Sequence, residues 1–313
     1  MKIREFEEEM AKQISSTNSN AEPHSETPQP PGAPKKKKFF VWIVIAVICI
    51  TVIVACGFQL GQAGRERQRN EQVKELAGEA PSSVRPKSAK TGEPEASASA
   101  TSTPSKKTIY YGKQKKENER EINFTELSEQ NPDTVAWLEV PGTNIDYPVV
   151  TTTDNDHYLH YDFLGKKSEH GAIYMDVSCD LNFEDPVSIF YGHNMKDGTM
   201  FADLHKFSDP EFLKEHSLIK VYTPEGEMDY RIFAVYKNDD GHLLSGRNLR
   251  NPTLYQEFLD EIAAKEGPDA QVDMTGISIR DSLLTLSTCV RGEDENRFVI
   301  QAVFIAPEGA GDN

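Results

Sequence analysis

The stretch SLLTLSTCVRGEDENRF, residues 282–298, places a single cysteine at the end of an apolar run and sets arginines two and eight positions after it. The apolar run has the composition of a β-strand, and a second run, NRFVIQAVFIA, follows after a short polar turn. Adjacent antiparallel strands would bring the guanidinium of Arg297 beside the thiol of Cys289. The stretch therefore predicts a strand pair with a thiol and a cation at one edge.

Further strand-length runs precede this pair, each bounded by proline or glycine: TVAWLEVPG, NIDYPVV, GAIYMD, PVSIFYGH and LIKVYTPEGEMDYRIFAVY. The last of these contains a hairpin with Pro224 to Glu227 as its turn. A short helix is expected in ENEREINFTELSEQNPD, ahead of the strands. The pattern predicts a mainly β domain, either a barrel or a sandwich.

One clear helix interrupts the strands before the final pair. Asn251 has the position of an N-cap, Pro252 opens the first turn and Gly267 stops the helix. Its apolar residues recur at four-residue spacing, which predicts that the helix docks on the β domain by one stripe, consisting of Leu254, Phe258 and Ile262.

Near the N terminus, Lys35 to Lys38 precede an apolar run, FFVWIVIAVICITVIVACGF, from Phe39 to Phe58. About 20 residues of helix cross about 30 Å of hydrocarbon, so the run predicts a single membrane anchor over residues 39–60. The lysines place the N terminus in the cytoplasm and the bulk of the chain outside the cell. An alternative is a lipoprotein signal ending at Cys56, which the long leader before the run disfavours.

Composition divides the remaining chain. Residues 1–38 read as a disordered cytoplasmic tail, residues 61–115 as a flexible extracellular stalk, residues 116–308 as the folded domain and residues 309–313 as a short tail. The net charge of −16 and the pI near 5.0 argue against nucleic-acid binding, because a phosphate backbone attracts clustered Lys and Arg.

Of the four cysteines, only Cys179 and Cys289 lie outside the predicted anchor, and two cysteines could form one disulfide without making a disulfide framework. A lone cysteine on an apolar strand is commonly a small buried hydrophobe. An exported thiol that stays free is instead prone to oxidation, and a nucleophilic thiol needs cationic neighbours that stabilise its thiolate. Cys289 is therefore a candidate nucleophile.

His193 ends another apolar run, SIFYGHNM, and would reach the rim of a barrel there. A single histidine is often only a satisfied polar residue, but at a shared rim its imidazole could take the thiol proton and later protonate a leaving amine. Arg297 could pair with Glu293, Asp294 or Glu295 at the surface, or donate hydrogen bonds to a carbonyl oxygen under attack. Arg291 lies nearer to Cys289 in sequence and remains a competitor for that second role.

A metal site receives little support. The segment DNDHYLHYDF offers a loose group without a complete ligand set, consisting of Asp154, Asp156, His157 and His160. The sequence also lacks a phosphate-binding loop, a dinucleotide fingerprint and a Gly-x-Ser-x-Gly elbow. Neither a metal nor another cofactor is expected.

The order of His193, then TLSTC at residues 285–289, then Arg297 resembles the sortases, membrane-anchored cysteine transpeptidases of Gram-positive bacteria. Wider likeness to class B lies in WLEVPGTNIDYPVV, DNDHYLHYDFLGKKSEHGAIYMD, YGHNMKDGTMFADLHKF and the helix before the last two strands, and it covers about residues 116–307. The resemblance implies an eight-stranded β-barrel with an N-terminal helix, Cys289 as nucleophile, His193 as acid and base, and Arg297 as oxyanion donor. It also implies a peptide-binding groove formed by Asn155, Leu159, Tyr191, Ser287 and Thr288.

The resemblance further implies the reaction and its partners. Cys289 would cleave a C-terminal sorting motif of surface proteins through a thioester, and an amine of a peptidoglycan precursor or of a pilin lysine would resolve it. An L,D-transpeptidase is the nearest rival, but that family needs glycine where Thr288 stands, and a papain-like peptidase places its Cys before its His. A non-catalytic surface binding protein is the remaining alternative.

Overall fold

The computed structural model describes residues 36–78, 115–244 and 246–307. Most of the predicted cytoplasmic tail, much of the predicted stalk and the C-terminal tail therefore lie outside the described residues. The chain divides into two compact units, residues 1–60 and 61–313.

The first helix, α1, spans Lys36–Lys74. Within the part of the chain that the structure describes, no helix combines the length and the apolar character needed to cross a membrane. The predicted anchor, residues 39–60, includes residues whose side chains lie outside the described set.

Eight strands close into a barrel, which confirms the mainly β class and selects the barrel over the sandwich. The hydrogen-bonded order is β5-β1-β2-β3-β4-β8-β9-β6, and β6 pairs in turn with β5, while the two-residue β7 extends β6 beyond that pairing. Two neighbouring pairs are parallel, β2 with β3 and β4 with β8. The strands are β1 Thr134–Glu139, β2 Asp146–Val150, β3 Ile173–Met175, β4 Val187–Tyr191, β5 Leu218–Thr223, β6 Gly226–Asp239, β7 Gln271–Val272, β8 Leu283–Val290 and β9 Glu293–Ile305.

Alternating side chains of the strands feed two apolar clusters, because successive residues of a strand point to opposite faces. Leu138 of β1 belongs to the larger cluster, whereas its neighbour Trp137 belongs to the smaller one. The smaller cluster is covered by residues that precede the first strand, among them Val73, Ile122 and Leu127. The N-terminal segment is thus part of the core of the second unit.

Short helices precede or connect the strands: α2 Phe124–Gln130 lies before β1, and α3 His157–His160, α4 Pro210–Glu215 and α5 Pro252–Ala263 lie between strands. Two 3-10 turns, at Glu75–Ala77 and Ala202–Ser208, complete the helical elements described. The predicted helix before the last strands is α5. The Asn251 side chain accepts the Thr253 N–H at 2.9 Å, as an N-cap does, and the helix ends at Ala263, before Gly267. Its buried residues are Tyr255, Phe258, Leu259 and Ile262.

The predicted stalk differs from the structure at its beginning. Residues 61–74 are helical and continue into the 3-10 turn, with Val73 and Ala77 buried in the smaller cluster. Ion pairs reinforce this packing, as shown by the 2.8 Å contact between Arg69 Nε and Asp162 Oδ2. A flexible segment can therefore begin only after this docked helix.

Candidate active site

Cys289 is the seventh residue of β8 and is exposed, although Thr288 before it and Val290 after it are buried. The Cys289 thiol is free, whereas Cys179 Sγ donates to the Val187 carbonyl at 3.8 Å. No disulfide therefore joins Cys289 to Cys179, which is buried. The strand exposes one sulfur atom at the surface between two buried neighbours.

Arg297 of β9 lies directly opposite Cys289 in the antiparallel β8–β9 pair. Directly opposed residues project to the same face of a sheet with their Cβ atoms about 5 Å apart. Glu293, which the sequence offered as a surface partner for Arg297, instead forms an ion pair with Lys237 at 3.0 Å. The guanidinium is half-buried and donates one hydrogen bond to the Asn296 carbonyl at 3.1 Å.

Arg291 occupies a different place. It follows β8 in the exposed turn, and its Nη2 donates to the Met195 carbonyl at 3.4 Å. The strand register therefore places Arg297, and not Arg291, opposite Cys289. Arg291 contacts the loop after β4 instead.

His193 reaches the same edge through the parallel β4–β8 pair, in which Tyr191 is aligned with Ser287. The pairing continues one residue further, because the Gly192 N–H donates to the Ser287 carbonyl at 3.3 Å and Thr288 Oγ1 donates to the Gly192 carbonyl at 2.7 Å. His193 lies two residues beyond Tyr191, and Cys289 lies two residues beyond Ser287. The topology therefore brings the imidazole and the thiol to one level on neighbouring chains.

The His193 ring is oriented by the Leu159 carbonyl and by its close approach to Gly171. Its Nε2 lies 2.9 Å from the Leu159 carbonyl, which can only accept, so Nε2 carries a proton and Nδ1 is left to exchange one. Gly171 adopts φ +58°, and a Cβ there would lie 3.2 Å from His193 Cδ2 and would collide with the Tyr158 carbonyl. A glycine is needed at this position for the ring to pack against the backbone.

Two side chains that the sequence did not single out hold the backbone of the nucleophile. Asn194 Nδ2 donates to the Cys289 carbonyl at 3.0 Å, and His205 Nε2 lies 3.2 Å from the same oxygen. The His205 ring packs against Phe298 in a tilted arrangement with centroids 4.4 Å apart, and burial lowers the pKa of His205. The position of Asn194 next to His193 was the one sequence signal that could have indicated its role.

The five predicted groove residues fall into two groups. Asn155 and Tyr191 are half-buried and both donate to the carboxylate of Asp176, at 3.1 and 3.0 Å, and Leu159 presents its carbonyl to His193. Ser287 and Thr288, in contrast, are buried in β8. The structure brings the first group to the rim, while the side chains of the second group lie inside the strand pairing.

The loose polar group in the segment 154–160 has other roles. Asp154 Oδ1 accepts the N–H groups of Asp156 and His157, at 2.9 and 2.8 Å, and the His157 ring stacks on Tyr161. Among the described residues, no group of three or more His, Cys, Asp or Glu side chains is placed to hold a metal ion.

Comparison with known proteins assigns a family to the chain. The model of the Sortase domain family matches residues 138–305. Sortase B of Listeria monocytogenes is 34% identical over 182 residues, which cover 58% of this chain and 73% of that protein. Sortase B of Staphylococcus aureus is 32% identical over 184 residues, covering 58% of this chain and 74% of that protein.

A solved structure also resembles this one. The X-ray structure of a mutant form of Clostridium perfringens sortase B superposes with a TM-score of 0.54 at 34% identity, covering 58% of this chain and 86% of that one.

A barrel that carries a cysteine at one edge, together with these matches, places the chain in the sortase family. Within that family it is a sortase-type cysteine transpeptidase of class B.

Proposed function

We propose that this enzyme cleaves a C-terminal sorting motif of surface proteins and transfers the protein to a cell-wall amine. The observation that supports it most is the register that sets exposed Cys289 directly opposite Arg297. The acceptor is the amine of a peptidoglycan precursor or of a pilin lysine, two amines that would attack the same thioester.

In the first half-reaction, the Cys289 thiol gives its proton to His193, and the resulting thiolate attacks the carbonyl carbon of the scissile amide. Arg297 donates hydrogen bonds to the oxygen on which negative charge develops. The carbon–nitrogen bond then breaks, and the imidazolium of His193 passes its proton to the departing amine. A thioester on Cys289 and a free C-terminal peptide remain.

In the second half-reaction, the acceptor amine attacks the thioester carbonyl and loses its proton to His193. A new amide forms and the sulfur leaves as a thiolate, which recovers its proton from His193. The same three side chains therefore act in both half-reactions, formation of the thioester and its transfer to the acceptor amine. Peptide binding is assigned to the groove formed by Asn155, Leu159, Tyr191, Ser287 and Thr288, where the buried Ser287 and Thr288 act mainly by shaping β8.

The membrane location is also a proposal. It has residues 39–60 as a single-pass anchor, the N terminus in the cytoplasm and the catalytic domain outside the cell. Its support is the apolar run after four lysines and the exposure of Trp42, Ile50 and Ile53, which are 70%, 60% and 68% exposed. Holding the catalyst at the membrane would raise its encounter rate with membrane-tethered substrates.

Intact-mass spectrometry tests this function directly. The full-length enzyme is incubated without acceptor amine, in one arm with C-terminal tail peptides of surface proteins and in the other with peptidoglycan stem peptides. We expect an acyl adduct with the tail peptides that maps to Cys289 and is absent from Cys289→Ala. Cleavage of stem peptides alone would instead identify an L,D-transpeptidase activity, and an adduct in neither arm would contradict acyl transfer.

A further inference from the structure

Asp176, directly after β3, is a buried carboxylate that the reaction does not use. Its side chain is fully buried, and it accepts hydrogen bonds from the Ser178 N–H and hydroxyl at 2.9 and 2.5 Å. It also accepts from Asn155 Nδ2 and from the Tyr191 hydroxyl, at 3.1 and 3.0 Å. Two of the residues assigned to the peptide groove are thus held by one carboxylate.

The carboxylate is ionised at neutral pH. Burial by itself would raise the pKa of Asp176, but the hydrogen bonds from Ser178, the imidazole of His242 and the hydrogen bond from Tyr191 together keep that pKa below its ordinary value. An ionised acceptor buried in this way strengthens each hydrogen bond that it receives.

The fifth contact joins Asp176 to a different part of the chain. His242 Nε2 lies 2.7 Å from Asp176 Oδ2, and since the carboxylate only accepts, Nε2 carries the proton. His242 belongs to the segment between β6 and α5, residues 240–251. The two residues are 66 positions apart in sequence. Their contact ties the segment to the same carboxylate that holds Asn155 and Tyr191.

Described residues of this segment line one side of a cavity, and Leu243 and Leu244 also pack against the larger apolar cluster. The cavity has a volume of ≈ 380 Å³, and both Ser178 and His242 lie in its wall, whereas Cys289, His193 and Arg297 do not. At the far end, buried Leu249 and the 2.8 Å ion pair of Arg250 with Asp185 hold the segment. At the near end Asp240, Gly241 and His242 are exposed, and the contact of His242 with Asp176 ties this end of the segment to the buried carboxylate.

We propose that Asp176 and His242 are positioning residues that fasten the β6–α5 segment beside the peptide groove and keep Asn155 and Tyr191 in place for substrate. Neither side chain touches the reacting atoms. Their effect falls on the binding of the peptide. This inference rests on the proposed function for its consequence in catalysis, whereas the tether itself can be measured without a substrate.

The test compares His242→Ala, His242→Gln and Asp176→Asn in the full-length enzyme. Glutamine can still donate from an amide nitrogen to Asp176, so His242→Gln is the rescue variant. His160→Ala is the matched control, because it removes a histidine from an exposed 3.7 Å pair with Asp156 that has no contact with Asp176 among those observed.

Two measurements are made on each variant. Hydrogen exchange of residues 240–251 reports the tether, and KM and kcat report its consequence, with a fluorogenic peptide chosen as the best substrate of the wild type from a randomised peptide library. We expect faster exchange and a KM raised about tenfold in His242→Ala and Asp176→Asn, the order of one lost charge-assisted hydrogen bond. Values of kcat and the rate of Cys289 alkylation by iodoacetamide stay near wild type.

The exchange rate and the kinetic constants decide different parts of the proposal. Unchanged exchange in His242→Ala overturns the tether, and faster exchange with unchanged KM overturns its role in substrate binding. A fall in kcat and in the alkylation rate would show a general structural defect and also count against the proposal. If the wild type cleaves no peptide, the proposed function fails, while the exchange measurement still decides the tether.

Discussion

The exposure of Cys289 depends on a single position in β8. Side chains of a strand alternate between faces, so a shift of one residue would bury the thiol and expose Thr288. The hydrogen bond from Thr288 Oγ1 to the Gly192 carbonyl, at 2.7 Å, opposes that shift because it ties β8 to the chain that leads into His193. A buried hydroxyl thus fixes the place of an exposed sulfur.

Substitution of Arg297 tests the oxyanion role at this scale. We expect Arg297→Ala to lower kcat about 10²- to 10³-fold, the usual cost of removing a donor to a developing oxyanion, and Arg297→Lys to recover only part of it. Steady-state cleavage of a tail peptide measures the loss. Arg291→Ala is the matched control and should stay near wild type, so a larger loss at Arg291 than at Arg297 would reverse the assignment.

Some of this site could be predicted from the residues alone. Cys289 and Arg297 belong to consecutive strands, so their pairing follows from one short turn, and the end of β4 was recognisable at His193. Asn194, His205 and Asp176 could not be predicted in their roles, because each acts on a residue far away in sequence. The hydrogen bond from Asn194 to Cys289, for example, spans 95 residues.

At the scale of elements, the helix that ends at Lys74 supports the loops around His193. Arg69 binds Asp162 in the segment that also carries Leu159, and the Glu66 carboxylate lies against the ring of His170, next to Gly171. Arg67 and His170 both contact Asp197 of the loop after His193, at 3.1 and 3.2 Å. A polar helix that looked like a spacer is therefore attached to both loops behind the imidazole.

We expect Arg69→Ala to lower the free energy of unfolding by about 1–2 kcal/mol, since the contact with Asp162 is charge-assisted and largely buried. Peptide cleavage should fall severalfold, because the loop that presents the Leu159 carbonyl to His193 loses a support. Urea denaturation and kcat/KM are the measurements. Arg65→Ala on the same helix, exposed to solvent, should alter neither value; equal effects of the two substitutions would argue against a specific contact.

The strands were predictable as elements because apolar runs and their proline and glycine boundaries are local signals. The docking of residues 61–77 was not, because among the residues of this stretch whose burial the structure describes only Val73 and Ala77 are buried, and the surrounding residues are mostly polar. Two apolar side chains are too few to give a periodic pattern. The two-residue β7 gave no signal for the same reason.

For the whole molecule, acidic residues fastened to lysines make stability depend on pH. Glu119 receives hydrogen bonds from Lys116 and Lys220, at 2.8 and 2.7 Å, and these hold its pKa at about 2, below the ordinary 4.5. A carboxyl whose pKa is depressed by folding stabilises the fold above pH 4.5, and this contribution is lost as the pH falls toward 2.

The urea midpoint of the wild type should therefore exceed that of Glu119→Gln at pH 7, and the two should converge between pH 4.5 and pH 2. Denaturation followed by circular dichroism at several pH values checks this expectation. A difference that stays constant over that range would mean that Glu119 acts through packing instead of charge.

Closure of the barrel was beyond local reasoning: the strand pattern left both a barrel and a sandwich open, and only the family resemblance implied the eight-stranded barrel. The features that decide between them are the pairing of β5 with both β1 and β6, and the parallel contact of β4 with β8. Of these three pairings, only β5–β6 joins strands that follow each other in the sequence. The strand order therefore cannot be derived from the spacing of the apolar runs.

The parallel contact of β4 with β8 also bears on how the chain acquires activity. It joins residues that are 96 positions apart, as from Gly192 to Thr288, and pairings between such remote segments form slowly during folding. Sulfur and imidazole become neighbours only once this long-range pairing has formed. A chain that lacks the pairing has the same thiol and imidazole but not side by side, so the proposed acyl transfer is coupled to the folding of the barrel.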